Sequence, residues 1–407
     1  MFISKKDIWY FLFLIMIVSL SMMTLKIGSA RLGQLTILII FILIIIHDTL
    51  KKQLDIKLII FLWIFPLFFI FISKLSDYPK IKEMTFIIKY MTILPASFYV
   101  GSRMVTFIGI KGIISLQEKL VIIYGSLAIL LSIYPIAALI HDRGALTGFQ
   151  GTFWETAGLA DAVFIAFMLA LTLRYDFSVP IKSKWLAVLF FMFTFFILLS
   201  TRNKTIWLGA IFGFSFVIIH FMYTKYILTG FVYNKKNINK YLKKMKSFNI
   251  PLTALLILIF IIFAYIYNSY LLEKPMITQE ILKVKIEEER GLAFKYAIEL
   301  LKDSNWLGMY GFGFVEYYFE SLYVQVIGLG KGSGSIFNSY LDIWIAVGLA
   351  GLLYHFLLLQ LSFSSKYLTT MILPFYMFIM ANFNPVAAGE YYFLYLGILY
   401  SIKKYNE

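Results

Sequence analysis

The chain has 407 residues, 61% of them hydrophobic and 14% charged, with a mean hydropathy of +0.82 and a net charge of +15. This composition excludes a soluble domain, and the apolar runs are much longer than the roughly 10-residue strands of a membrane barrel. Because helices satisfy their own backbone hydrogen bonds in lipid, we expect an all-α, polytopic transmembrane helical bundle. The positive charge then indicates cytoplasmic loops that face anionic lipid headgroups rather than a nucleic-acid partner.

The residue inventory predicts neither a metal nor a cofactor. The sequence has no cysteine, and its four histidines, His47, His141, His220 and His355, lack the spacing of metal ligands. The first apolar run, from Ile8, has no clear cleavage site, so we interpret it as the first span rather than as a cleavable signal peptide.

Apolar segments with the length of a membrane-crossing helix, about 20 residues, predict about twelve spans. They lie near residues 8–25, 32–47, 57–73, 84–101, 119–140, 157–175, 185–201, 204–224, 251–270, 337–360, 367–382 and 389–402. The fourth contains Lys89, which is either a functional charge within the membrane or a lysine that snorkels between neighbouring helices.

The distribution of basic residues predicts the orientation of these spans. With both termini in the cytoplasm, most Lys and Arg residues of the connections lie inside, including the dense cluster from Lys235 to Lys246. One external connection is then exceptionally long and divides the chain into residues 1–270 with nine spans, the large extracytoplasmic loop 271–336, and residues 337–407 with three spans. Long loops are usually functional.

The large loop has two halves of different character. The first, from Ile281, has apolar residues at helical spacing and predicts one or two amphipathic helices on the outer membrane surface, with Gly291 as a joint. The second, with the stretches GMYGFGF and GLGKGSGS, is rich in Gly and Tyr and is interpreted as a mobile lid.

Four polar residues border apolar segments on the predicted external face and indicate a site for an anionic substrate: Arg143, Arg202, Arg290 and Asn338. Arg202, with Lys204 beside it, either belongs to a capped tight turn or grips a phosphate in bidentate fashion. Arg290 follows three glutamates, which is also typical of a solvated helix face. Asn338 is equally compatible with a simple helix N-cap, and Gly348 with close packing.

The segment around Arg143 is either an ordinary loop with glycine turns or a platform for a sugar ring. Its sequence, HDRGALTGFQGTFWETAG, begins with His141 and places the aromatic Trp154 beside Glu155. Aromatic faces stack on pyranose rings, and carboxylates accept hydrogen bonds from their hydroxyls.

Taken in order, these features resemble the O-antigen polymerase and ligase superfamily, the Wzy- and ligase-type membrane glycosyltransferases of the GT-C class. The resemblance covers the whole chain and rests on many spans, one large late external loop and short motifs at Ser200 and Arg202, Arg290, Gly311 and Gly313, and Asn338 with Gly348 and Gly351. In the ligases a histidine precedes the residue matched by Asn338, but this chain has Phe337, which cannot accept a proton. The resemblance is therefore closer to the polymerases.

The resemblance implies transfer of a glycan from undecaprenyl diphosphate to the non-reducing end of another lipid-linked repeat unit, with inversion and without metal. The implied catalytic residues are Arg202, Arg290, Arg143 and Asn338, and the implied substrate-binding residues are Lys204, Trp154, Glu155, Tyr310 and His141. The arginines would neutralise the diphosphate. The general base stays unassigned among Glu155, Glu316, Glu320, Glu390 and His141.

The same resemblance implies a bacterial inner (cytoplasmic) membrane location, an active site on the extracytoplasmic face, and an O-antigen, lipopolysaccharide or capsule product. The implied partners are the lipid-linked oligosaccharide, membrane lipid and a Wzz-type chain-length regulator. Two alternatives remain: a ligase-type glycan transferase, and a flippase or transporter of lipid-linked oligosaccharides. Transporters typically have two related halves, whereas this sequence shows no internal repeat and one asymmetric loop.

Overall fold

A computed structural model describes residues 4–21, 26–27, 30–131, 156–181, 183–200, 289–319, 336, 338–383 and 389–405 of the chain. Within these ranges the protein is helical apart from one antiparallel pair of two-residue strands, β1 (Lys26–Ile27) and β2 (Ala30–Arg31). The all-α class predicted from the composition is therefore confirmed.

The helices follow the chain order closely. They are α1 (Lys5–Ser21), α2 (Leu32–Leu50), α3 (Ile56–Leu75), α4 (Glu83–Ile88), the π-helix π1 (Lys89–Ile93), α5 (Leu94–Leu131), α6 (Thr156–Asp176), α7 (Lys184–Ser200), α8 (Glu289–Asp303), α9 (Ser339–Val347), α10 (Leu349–Ser362), α11 (Leu368–Phe383) and α12 (Glu390–Lys404). Helix α5 is kinked at Gly109.

Most predicted spans coincide with these helices. Three stretches, Leu32–Leu50, Ile56–Leu75 and Glu83–Leu127, are long and apolar enough to cross a membrane, and shorter apolar helices accompany them. The predicted spans 204–224 and 251–270 lie outside the described residues. The total of about twelve spans and the division of the chain at residues 270 and 336 therefore stay predictions.

Helices α5 and α12 form the centre of the bundle because two glycines let their backbones touch. A Cβ atom on Gly101 would lie 2.2 Å from the carbonyl oxygen of Leu394, and one on Gly397 would lie 2.1 Å from that of Phe98. Small residues at such an interface give the tight van der Waals packing on which helix association in lipid depends. Lower in the same interface, the Tyr395 hydroxyl donates to Gln117 Oε1 at 2.9 Å.

Ion pairs join the helices at the predicted cytoplasmic end. The Arg103 guanidinium contacts the fully buried Asp48 carboxylate twice, at 2.7 and 2.9 Å, and thereby ties α5 to α2. Arg174 of α6 contacts Glu118 of α5 at 2.6 Å. Removing one partner of such a pair leaves a buried charge without compensation, so these contacts fix the helix register.

The predicted fourth span is one continuous helical stretch that changes to a π-helix at Lys89. Lys89 is half-buried and interacts electrostatically with the buried Glu390 at the start of α12. Single π-helical turns occur frequently at functional sites. Both interpretations of Lys89 remain open, but the lysine has a buried carboxylate within its electrostatic reach.

The predicted tenth span, 337–360, is wrong as a single helix. Sixteen residues of straight helix would separate positions 340 and 356 by about 24 Å. Instead, the rings of Tyr340 and Phe356 lie 5.1 Å apart, so α9 and α10 fold back on each other. The reversal occurs at Gly348, whose φ of 74° and ψ of −166° belong to a region that only glycine occupies readily.

Helix α8 confirms the amphipathic pattern in the large loop but corrects its details. It runs without interruption through Gly291, so this glycine is not a joint. Its apolar side chains are buried in the protein core, namely Ala293, Phe294, Ala297, Ile298, Leu300 and Leu301. Among the described residues, therefore, the apolar face of this helix packs on protein.

The predicted orientation can be tested at the two ends of α3, because the chain has no cysteine of its own. Gln53 and Asp77 are exposed in the connections before and after this helix. We expect an impermeant maleimide to label Asp77→Cys in intact spheroplasts and Gln53→Cys only after permeabilisation. The reverse pattern would place the termini outside.

The reversal at Gly348 predicts a strong effect of adding a single methyl group. Gly348→Ala forces a non-glycine residue into this backbone region and places its Cβ atom 2.9 Å from the carbonyl oxygen of Leu307. We expect a loss of about 1–3 kcal/mol in the free energy of unfolding, measured by titration with SDS in mixed micelles. The neighbouring Leu349 is 52% exposed, so Leu349→Ala is the matched control and should change little.

Candidate functional site

The N-terminus of α9 lies at the mouth of the bundle, where α11 ends and α12 begins. Asn338 is 1% exposed, and its side-chain oxygen accepts the backbone N–H groups of Tyr340 and Leu341, both at 3.0 Å. Its amide nitrogen donates to Asn382 of α11 at 3.4 Å. The Tyr340 hydroxyl lies 3.1 Å from that of Tyr392 on α12. The N-cap alternative for Asn338 is therefore confirmed, whereas its catalytic role stays a prediction.

The C-terminus of α9 is completed by residues from the large loop. A helix that ends leaves its last carbonyl groups without partners inside the helix. Here Tyr310 N–H donates to the Ile345 carbonyl at 3.0 Å, and Gly311 N–H donates to that of Ala346 at 2.8 Å. The indole of Trp344 donates to the Trp306 carbonyl at 3.0 Å. The segment 304–314 thus supplies the hydrogen bonds that the reversal at Gly348 removes.

The same segment is bound on its other side to the α3–α4 connection. Phe312 N–H donates to the buried Ser73 Oγ at 3.0 Å, and Ile81 N–H donates to the Gly313 carbonyl at 3.3 Å. A further hydrogen bond joins the Ser76 hydroxyl to the Tyr310 carbonyl. The interpretation as a mobile lid is therefore wrong for residues 308–314, while the second glycine stretch, 328–335, lies outside the described residues.

This double attachment fixes the position of helix α8 relative to α9. The segment 304–314 leaves directly from the end of α8, and the Tyr310 hydroxyl donates back to the Leu300 carbonyl of that helix at 2.8 Å. Arg290 lies in the first turn of α8, although its side chain is outside the described residues. Arg290 and Asn338 therefore belong to two helices that are held together by backbone hydrogen bonds.

Tyr310 has a clear packing role. Its ring stacks on Phe314 with centroids 4.5 Å apart, and its hydroxyl already donates to Leu300. Burial raises the pKa of Tyr310 above its usual value, so the hydroxyl stays a proton donor to that carbonyl. Its predicted contact with the substrate stays a prediction.

The other predicted site residues cannot be placed relative to these helices. They lie outside the described residues, namely Arg143, Arg202, His141, Trp154, Glu155 and Lys204. Their convergence with Arg290 and Asn338 stays a prediction. Within the described part of the chain there is no group of three or more His, Asp or Glu residues that could hold a metal ion.

Two of the carboxylates considered as a general base have partners in the protein. Lys82 Nζ contacts Glu316 Oε1 at 3.0 Å, and Gln34 Nε2 donates to the buried Glu390 Oε1 at 2.6 Å. Glu155 and Glu320, like His141, lie outside the described residues.

Sequence reasoning missed a further carboxylate, that of Asp342 in the first turn of α9. One of its oxygens, Oδ1, is buried without a hydrogen-bond partner. The available signal was an acidic residue four positions after Asn338 in an otherwise apolar run, FNSYLDIWIAV.

The fold and this site define an integral membrane protein whose loop helix is joined to a short, capped helix at one end of an apolar bundle. Residues 187–356 match the O-antigen ligase family (Wzy_C), somewhat less than half of the chain, and this match places the protein in the O-antigen ligase and polymerase superfamily. None of the curated proteins compared with the chain matches it. The family supports a glycan-processing function of the ligase or polymerase type, with lipid-linked oligosaccharides as substrates.

The capping role of Asn338 makes a prediction about stability. Asn338→Ala removes the acceptor for two backbone N–H groups, so we expect a loss of about 0.5–2 kcal/mol in the free energy of unfolding. Asn338→Asp keeps an acceptor oxygen and should lose less. Equal losses in the two variants, measured by SDS titration, would contradict a role of the side chain as the cap.

Proposed function

We propose that the protein is a polysaccharide polymerase that lengthens lipid-linked glycans of the O-antigen or capsule type. It transfers a glycan from undecaprenyl diphosphate to the non-reducing-end hydroxyl of a second lipid-linked repeat unit. The acceptor oxygen bonds to the anomeric carbon from the face opposite the leaving group, so the configuration inverts. The bond from that carbon to the diphosphate oxygen breaks, and the electron pair leaves with the lipid diphosphate.

The observation that carries this proposal is the attachment of helix α8 to helix α9. The family match covers Arg202, Arg290 and Asn338, and segment 304–314 joins the helix of Arg290 to the helix that Asn338 caps. A transferase needs its charged groups at fixed positions before the reaction, because preorganised charge stabilises the transition state without further rearrangement. An attachment made by backbone hydrogen bonds on two sides supports such a fixed position.

The arginines have the role of neutralising the charge that develops on the diphosphate. A guanidinium donates several hydrogen bonds in a fixed planar arrangement that matches phosphate oxygens, and it stays charged at any physiological pH. We assign the diphosphate to Arg202 and Arg290 and the orientation of the sugar to Arg143 with Trp154 and Glu155. The reaction needs no metal because these cations supply the positive charge.

The residue before Asn338 favours polymerase over ligase. In ligases this position holds a histidine that is a candidate for activating the acceptor hydroxyl, and here it is Phe337. The family description itself favours the ligase alternative, in which the same donor glycan is transferred to a different lipid-anchored acceptor. We further propose that the protein works in a bacterial inner membrane, with the site on the extracytoplasmic face and a Wzz-type regulator as partner.

The arginine variants test this function. The purified protein is incubated with lipid-diphosphate-linked repeat units from its host, without nucleotide sugar or added metal, and the products are separated by size. We expect a ladder of longer lipid-linked glycans. Arg202→Ala and Arg290→Ala should lower its rate about 100-fold or more, and Arg202→Lys should not restore it.

Lys302→Ala is the matched control for Arg290, because Lys302 is a cation of the same helix and is exposed. It should keep the wild-type rate. Full polymerisation by Arg202→Lys would contradict a bidentate grip. A wild-type protein that moves the lipid across proteoliposome membranes but forms no ladder would be a flippase. A ladder-free protein that joins the glycan to a different lipid acceptor would be a ligase.

A further inference from the structure

Two carboxylates at the α9 end of the bundle each have one oxygen held by the protein and one oxygen without a partner. Asp342 receives a backbone hydrogen bond from Ile336 and is electrostatically close to Glu316. Glu316 Oε1 is held by Lys82 at 3.0 Å. The remaining oxygens, Asp342 Oδ1 and Glu316 Oε2, are buried and have no hydrogen-bond partner.

A buried carboxylate oxygen without a partner destabilises a protein, because the group has lost its hydration and gained nothing in exchange. Two such oxygens from neighbouring residues therefore indicate that a bound molecule supplies the missing donors. Their anchored halves hold them in place, since Asp342 is on α9 and Glu316 lies in the helical turn 314–319 directly after segment 304–314. Segment 304–314 is itself bonded to α9.

The missing donor is better supplied by hydroxyl groups than by a cation. A divalent cation such as Mg²⁺ or Ca²⁺ takes six or more oxygen ligands. The described part of the chain offers no third carboxylate or histidine to such a group, and the ammonium of Lys82 already neutralises Glu316. A sugar presents several O–H donors at the spacing of adjacent ring carbons, and two carboxylate oxygens accept them directly.

We propose that Asp342 and Glu316 bind the acceptor sugar, with Asp342 as the catalytic residue that removes the proton from the attacking hydroxyl. This inference rests on the proposed function and supplies the base that Phe337 cannot provide. The hydroxyl proton passes to Asp342 Oδ1 as the hydroxyl oxygen bonds to the anomeric carbon. The diphosphate leaves from that carbon with its electron pair, and Asp342 later returns the proton to water. Glu316 Oε2 accepts a hydrogen bond from a second hydroxyl of the same sugar.

The position of Asp342 agrees with this role. It lies one helical turn after Asn338, on the helix whose N-terminus opens at the bundle mouth. It is also within electrostatic reach of Tyr90, the residue that follows Lys89 in π1. The carboxylate thus lies beside the elements that border the mouth, and α8 with Arg290 is attached to the same helix.

The test uses the full-length protein in nanodiscs with the lipid-diphosphate-linked repeat unit as donor and a soluble repeat-unit oligosaccharide as acceptor. Asp342→Asn preserves the shape but cannot take the proton, so kcat should fall about 100-fold or more. The affinity for the donor lipid should stay within about twofold, because this residue does not contact the diphosphate. Glu316→Gln should raise KM for the acceptor about tenfold and change kcat less, since one oxygen still accepts a hydrogen bond.

Asp303→Asn is the matched control, an exposed carboxylate at the end of α8, and it should keep the wild-type rate. Should Asp342→Asn lower the thermal midpoint, Asp342→Glu decides the matter, because it restores a proton acceptor and should be at least tenfold faster than Asp342→Asn.

Several outcomes would overturn the inference. A folded Asp342→Asn variant with half or more of the wild-type kcat would remove the proton-accepting role. Wild-type activity that disappears with EDTA and returns with Mg²⁺ would assign the two carboxylates to a cation. A wild-type protein that forms no longer glycans at all would overturn the proposed function and this inference together, whereas an active wild type with an active Asp342→Asn variant overturns the inference alone.

Discussion

The structure depends on one break in backbone hydrogen bonding, the reversal of the chain at Gly348. In a lipid environment an unpaired carbonyl group destabilises the protein by several kcal/mol, so a helix end within the bundle must find donors nearby. The amides of Tyr310 and Gly311 are those donors. Their bonds bring the large loop onto the bundle, and the loop in turn brings α8 and Arg290 to the helix that Asn338 caps.

Polar groups at the α9 end follow from this arrangement. Segment 304–314 contacts the α3–α4 connection through Ser73 and Ile81 and is followed by Glu316 beside Lys82. The buried Glu390 with Gln34 and the half-buried Lys89 border the same mouth. At the opposite end the charged groups are paired with each other, as Arg103 is with Asp48 and Arg174 with Glu118. Unpartnered carboxylate oxygens at the mouth and ion pairs at the far end indicate binding at one end and support at the other.

Sequence reasoning predicted the long helices well because lipid thickness alone determines their length. The spans predicted at 57–73 and 157–175 differ from α3 and α6 by at most two residues at either end. It failed at residues 337–360, where an apolar run with two glycines has the same composition whether it is straight or folded back. It also treated Gly311 and Gly313 as signs of mobility, although these glycines permit close contact with Lys80 and Ile81. Asp342 was missed because a single acid in an apolar helix has no local pattern, and its importance arises from a loop carboxylate distant in sequence.

The reversal at Gly348 also decides which part of this protein can be exchanged with a relative. By sequence the large loop ends near residue 336, yet the acceptors for its amides are Ile345 and Ala346 of the following helix. A chimera joined at residue 336 would combine a foreign loop with native carbonyl groups and leave both without their partners. The unit of inheritance is therefore residues 289–347 together, and recombination within the family is expected to preserve this block, with crossovers at or after Gly348.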